Sequence, residues 1–179
     1  FNVYLANDLD GDGTCDDFCD SSFVISNDLE LHQASSCAVI AGSLILEYSV
    51  SQIDSLHNLK LVQGDLGIYN TYGLDNLDGF SGLVSIGGNL IIEGNQELVD
   101  LDGFSELREV GGSVVIGDVS YVSGGNAALN LEEVFDQLSV VWDGIYIAKN
   151  NSIDKISGFN ELEILMGDLY VADNLSLTE

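Results

Sequence analysis

One short motif recurs along this chain: GSLIL (42–46), GDLGI (64–68), GNLII (88–92), GSVVI (112–116), DGIYI (143–147) and GDLYV (167–171). Its first apolar residues are Leu44, Leu66, Leu90, Val114, Ile145 and Leu169, with steps of 22, 24, 24, 31 and 24 residues. Four further columns keep the same step. They are Val50, Leu74, Leu98, Leu129, Ile153; Leu56, Phe80, Phe104, Phe135, Phe159; Leu59, Leu83, Leu107, Leu138, Leu162; and Val62, Ile86, Val110, Val141, Leu165. A fixed period of this length means a repeat architecture, because each unit cannot bury its apolar face until a neighbour stacks on it.

The alternating x-L-x-[IV] segments predict short strands stacked in parallel, one coil every ~4.8 Å. The fold class expected is therefore an all-β solenoid, a parallel β-helix with leucine-rich-repeat-like coils of about 24 residues. The apolar columns become inward ladders, among them a stack of Phe80, Phe104, Phe135 and Phe159. Asn70, Asn95, Asn150 and Asn174 fall just after the strands, where inward amides can satisfy backbone groups left unpaired at a bend.

The segment SFVISNDLELHQASSCAVIAG fits as a shorter initial coil, with Phe23 and Ile25 in the strand, Leu29 in the next column, Cys37 matching Leu59 and Ile40 matching Val62. By the same register His32 takes an inward column and His57 an exposed turn. The domain division expected is an acidic loop or linker over 1–21 and the solenoid over 22–179. The chain starts abruptly at Phe1 and stops part-way round a coil in DNLSLTE, which reads as a piece of something longer or as an edge on which another subunit docks. Between Val114 and Leu129 stand seven extra residues, inside GDVSYVSGGNAA (117–128), a Gly/Ser loop carrying Tyr121. Insertions in solenoids map to loops, often at a binding face.

Charge bounds the partners. Thirty acidic residues face four basic ones, a net charge of −26. Such a field repels nucleic acid and anionic membrane and favours divalent cations, basic protein surfaces or high salt. With 46% hydrophobic residues the chain has the means to fold despite that charge, and no apolar run approaches a membrane span. Proline is absent while glycine numbers 20, so the turns are set by Gly, Asn and Asp. The three cysteines are Cys15, Cys19 and Cys37; an odd count in an extracellular protein implies one disulfide and a spare thiol, or a bond outside this sequence.

CAVIAGSLIL (37–46), YGLDNLDGFSGLVSIGGNLII (72–92) and ELVDLDGFSELREVGGSVVI (97–116) resemble the receptor L domain, the leucine-rich right-handed β-helix of insulin and growth-factor receptors. The resemblance spans roughly residues 22–179 and implies a cell-surface or extracellular module that contacts protein through its strand face. In that family the first-coil Cys commonly pairs with an upstream Cys, so the resemblance implies a bond from Cys37 to Cys15 or Cys19.

Two candidate sites follow. In DLDGDGTCDDFCD (8–20), Asp8, Asp10 and Asp12, then Gly13, the Thr14 carbonyl and Asp16, follow the ligand spacing of a calcium loop, with Asp17 beside them. Position 12 of an EF-hand would be Glu, but Cys19 stands there, so the stretch looks more like a thrombospondin type 3 calcium repeat. A flexible acidic linker is the plain alternative, and a zinc site from Cys15 and Cys19 lacks placed partners. The second site is the outward strand face: Ile45, Gly67, Ile91, Val115, Tyr146 and Tyr170, with Tyr69 two positions further on and Tyr121 on the inserted loop. Apolar residues where water is expected predict a protein partner or self-association.

No nucleophile elbow, phosphate loop or metal-ligand cluster is present, and the outward carboxylates Glu47, Asp65, Glu93 and Asp168 form no evident acid pair, so an enzyme is not expected. The acceptor patterns at Asn150 and Asn174 fall in the inward ladder and read as structural. The function expected is an extracellular, calcium-stabilised binding or assembly module, with a filament or lattice subunit and a carbohydrate-binding module as alternatives.

Overall fold

The computed structural model describes residues 18–118 and 125–178, and in them the chain is a parallel β-solenoid of about six turns. Its strands are β1 (Phe18–Cys19), β2 (Phe23–Asn27), β3 (Val39–Ile40), β4 (Leu44–Ser49), β5 (Leu61–Val62), β6 (Leu66–Tyr69), β7 (Ser85–Ile86) and β8 (Leu90–Glu93). They continue as β9 (Glu109–Val110), β10 (Val114–Gly117), β11 (Leu131–Val134), β12 (Val140–Val141), β13 (Ile145–Ala148), β14 (Ile156–Gly158), β15 (Ile164–Leu165) and β16 (Leu169–Ala172). One seven-stranded sheet runs β2-β4-β6-β8-β10-β13-β16, and a second runs β1-β3-β5-β7-β9-β12-β15. Every pairing is parallel and steps by one coil, as a stack of repeats requires.

The expected columns are the core. Leu44, Leu66, Leu90 and Val114 are fully buried, as are Leu59, Leu83, Leu107 and Leu138. The phenylalanines stack with centroids 5.6 Å apart for Phe80–Phe104, 5.8 Å for Phe104–Phe135 and 5.3 Å for Phe135–Phe159. In this column the earlier coils take short 3-10 turns at Leu31–Gln33, Asp54–Leu56, Asp78–Phe80 and Asp102–Phe104, the last two ending on stacked phenylalanines. The next two coils abandon that turn: β11 and β14 pair there instead, around left-handed Glu133, Phe135 and Phe159. In the final coil Leu169 is 66% exposed, and inward residues such as Ile145, Ile156, Phe159 and Leu165 line a recess of about 360 Å³.

Three expectations are corrected. Leu29 is 83% exposed, because β2 carries a register irregularity between Ile25 and Asn27 and the corner passes to Asp28. Asp28 Oδ1 accepts from the Ser51 backbone N–H at 2.7 Å, and its Oδ2 from the Ser51 hydroxyl at 2.6 Å. His32 is exposed, since its 3-10 turn buries Leu31 and the following inward residue is Ala34. Asn70 is not in the ladder: it takes a left-handed conformation (φ 48°), and the inward position passes to Thr71, 1% exposed. Left-handed backbone recurs at this bend, at Tyr48, Gly94, Lys149 and Asp173, which turns the chain off the sheet in coil after coil.

The ladder itself is Thr71–Asn95–Asn126–Asn150–Asn174. Asn95 Oδ1 accepts from the Thr71 backbone N–H (3.0 Å) and hydroxyl (2.8 Å), and its amide donates to the Ile68 carbonyl (2.9 Å). Asn126 and Asn150 repeat the pattern, donating to the carbonyls of Ile92 and Ile116, each at 3.0 Å. Asn150 is fully buried and Asn174 is 9% exposed, so neither acceptor pattern presents its amide to solvent. At the other end Cys19 is bonded to Cys37, with Cα atoms 5.8 Å apart. β1, which contains Cys19, pairs with β3, so the solenoid reaches back to Phe18.

Candidate functional site

The parallel register of the β2–β16 sheet builds its outer face row by row. Val24, Ile45, Gly67, Ile91, Val115, Tyr146 and Tyr170 are direct neighbours from strand to strand. None carries a charge, although Val24 is 62% and Tyr170 45% exposed. Water alone does not select such a row. Two glycines level it: a Cβ at Gly67 would collide with the ring of Tyr69, and one at Gly144 with the ring of Tyr146. The tyrosine rings therefore lie back over glycine positions. Tyr146 also packs against Tyr170 with centroids 6.4 Å apart and planes tilted by 42°.

Carboxylates border the row. On one side stand Asp65, Asp143 and Asp168, at or just before the strand starts. Two positions beyond the row on the other side, Glu47, Tyr69 and Glu93 form a second row in register. Several of these acids are held in place. Asp65 Oδ1 accepts from the Asn89 backbone N–H (2.7 Å) and side-chain amide (2.9 Å), Asp143 accepts from the Ser113 hydroxyl (2.8 Å), and Glu47 from the Ser26 hydroxyl (3.1 Å). Burial, then the charges of Glu93 and Asp65, raise the Tyr69 phenol above its ordinary value, so it stays neutral well past physiological pH. Lys149 lies in the bend beyond this sheet, with Nζ 3.7 Å from Asp118.

A second side-chain ladder, which sequence reasoning missed, fixes that acidic border. The backbone N–H of Ser43 donates to Ser22 Oγ (3.0 Å), that of Asp65 to Ser43 Oγ (3.0 Å), and that of Ser113 to Asn89 Oδ1 (2.8 Å). The available signal was the residue after the motif glycine: Ser43, Asp65, Asn89 and Ser113 are all short hydrogen-bonding side chains.

Of the expected partner residues, Ile45, Ile91, Val115, Tyr146 and Tyr170 share the outer row and Tyr69 lies over it, whereas Tyr121 is outside the described residues. The expected calcium ligands Asp8, Asp10, Asp12, Thr14, Asp16 and Asp17, and the alternative disulfide partner Cys15, also lie outside them. Among the described residues no three His, Cys, Asp or Glu side chains are grouped to hold a metal ion, and no helix is long and apolar enough to cross a membrane. Glu47 and Glu93 are separated by Tyr69 in their row. The geometry is that of a level surface, not a cleft. Comparison with protein families, characterised proteins and solved structures returns no match to this chain.

Proposed function

We propose that this protein is a non-enzymatic extracellular binding module that contacts protein through the outer face of the β2–β16 sheet, with calcium held by the Asp8–Asp17 loop stiffening the segment that leads into the first coil. The observation that carries the reading is the uncharged row Ile45–Gly67–Ile91–Val115–Tyr146–Tyr170, levelled by tyrosine rings over glycines, on a chain of net charge −26. A chain this rich in acid has carboxylates to spare for a merely solvated face. The Cys19–Cys37 bond supports an oxidising compartment.

An array of secreted proteins probed in calcium with the wild type and with Ile91→Lys tests the face. Proteins retained by the wild type and lost by the variant support it; equal retention by both removes the sheet as the binding surface. Calorimetric titration with calcium, repeated on Asp10→Asn/Asp12→Asn, tests the loop, and unchanged binding in that variant would sink it. Self-association is the competing use of the same face. Sedimentation velocity at rising protein and calcium concentration distinguishes it, because assembly requires larger species that Ile91→Lys removes.

A further inference from the structure

The dimensions and charge of the sheet face narrow the partner further, on the premise that this face is the binding surface. Seven strands stacked at ~4.8 Å make an apolar row about 29 Å long. Asp65 and Asp168 stand two residues before the row and Asp143 three, while Glu47 and Glu93 stand two after it, so the borders lie about 13 Å or slightly more apart along the strands at ~3.3 Å per residue. The result is a long, level apolar strip with Asp65, Asp143 and Asp168 along one border and Glu47 and Glu93 along the other. No Lys or Arg occupies the row or either border; three of the four basic residues, Lys60, Arg108 and Lys155, belong to segments outside this sheet, and Lys149 is at its bend beside Asp118.

We infer that the strip receives a cationic amphipathic helix, one with a continuous apolar stripe bordered on both sides by Lys or Arg. An α-helix of about 19 residues spans 29 Å, and its diameter with side chains is about 10–12 Å, so Lys or Arg on its two flanks reach a little outward to carboxylate borders about 13 Å apart. Lys and Arg suit that geometry because their methylene stems cover apolar surface while the charged head reaches outward to a carboxylate. Tyr69, Tyr146 and Tyr170 add aromatic faces on which a guanidinium or ammonium group can rest. A second copy of this chain is a poor occupant of the same strip: it would set −26 against −26 with only four basic residues per copy.

The test uses three 20-residue peptides labelled with a fluorophore: a helical Leu/Lys peptide with its leucines on one face, a scramble of identical composition, and the Leu/Glu counterpart. Anisotropy titrations are run at about 0.15 M salt, where unspecific attraction is screened beyond roughly 8 Å. The wild type is expected to bind the patterned Lys peptide at least about tenfold tighter than the scramble, with no measurable binding of the Glu peptide. Glu47→Gln/Asp168→Asn is expected to weaken it about threefold or more, and Ile91→Ser about tenfold, while Asp78→Asn/Asp102→Asn on the 3-10 side stays within about twofold. Equal binding of pattern and scramble, or equal weakening by the two charge variants, overturns the inference, since net charge alone would then explain the attraction. So does absence of binding to the patterned peptide. If array capture is lost in Ile91→Lys while the Lys peptide fails, the sheet face stands and the cationic helix falls; if capture is insensitive to Ile91→Lys, both fall.

Discussion

Asn95→Ala removes one rung of the inner ladder in a central coil, where nothing can relax toward solvent. Asn95 is fully buried and Thr71 is 1% exposed. The substitution strips acceptors from the Thr71 backbone N–H and hydroxyl and a donor from the Ile68 carbonyl. A buried polar group that loses its partner costs about 1–3 kcal/mol, so three of them, partly sharing one relaxation, place the loss at roughly 3–5 kcal/mol. Urea unfolding followed by far-ultraviolet circular dichroism reads that loss as a lower midpoint. A fall in slope would mean that the stack separates into two blocks at this coil, which is how a chain of nearest-neighbour interfaces fails. Adding Thr71→Val removes the orphaned hydroxyl, so the double variant is expected to recover about 1 kcal/mol relative to additivity. Asn151→Ala, an exposed neighbour of the ladder, serves as the control and stays within about 0.5 kcal/mol of the wild type. If Asn95→Ala also stays within about 0.5 kcal/mol, the ladder contributes nothing and the reasoning is refuted.

Other outcomes follow from single contacts. Replacing Cys19 and Cys37 by Ser opens a link between residues 18 apart, a loss of about 3 kcal/mol by loop entropy, confined to the first coil; hydrogen exchange should show β1 and β3 deprotected and β8 unchanged. Gly103→Ala would drive a Cβ into the Leu77 carbonyl oxygen, so a loss of about 3 kcal/mol or more is expected in the same urea assay, and a wild-type midpoint would contradict the backbone placement. Burial raises the Asp28 carboxyl, but hydrogen bonds from the Ser51 side chain and the Ser51 and Gln52 backbone outweigh it and hold the group below its ordinary value. Its folded value is the lower one, so its contribution is complete above the unfolded value of about 3.9 and is lost as pH falls through the folded value. Asp28→Asn should therefore lose less stability than the wild type on acidification below about pH 4, and parallel acid limbs would count against the assignment.

The parts of this fold that were legible in the sequence are those where each coil repeats the same side chain for the same reason. Leu59, Leu83, Leu107 and Leu138 face inward at a fixed step, and apolar burial leaves little choice of residue. The inner ladder was half legible. Asn126 keeps the 31-residue step of its coil but stands well after its strand, beyond the seven-residue insertion, and so escaped a rule that looks just past the strands; Thr71 escaped because a hydroxyl can fill the same hydrogen-bonding role as an amide. Leu29 misled for another reason: the first coil is shorter, β2 slips in register, and Asp28 closes the corner by a hydrogen bond that hydrophobic periodicity does not record. The exchange of a 3-10 turn for the β11–β14 pair leaves Phe135 and Phe159 in their column, so the periodicity stays intact while the backbone around it changes. For the proposed binding face, the uncharged outer row was visible by alternation, whereas its levelling by Tyr69 over Gly67 and Tyr146 over Gly144 depends on ring positions that spacing cannot give.

The proposed binding surface is the outer row of the β2–β16 sheet. Ile91 sits mid-row between Gly67 and Val115, half-buried, and Ile91→Lys puts a charge there without touching the core. The most direct measurement is the affinity of the wild type and of Ile91→Lys, side by side, for one protein recovered from the array, with urea midpoints recorded for both. If the row is the binding surface, midpoints match within about 0.5 kcal/mol and the affinity of the variant is at least about tenfold weaker. Matching midpoints with matching affinities would contradict it.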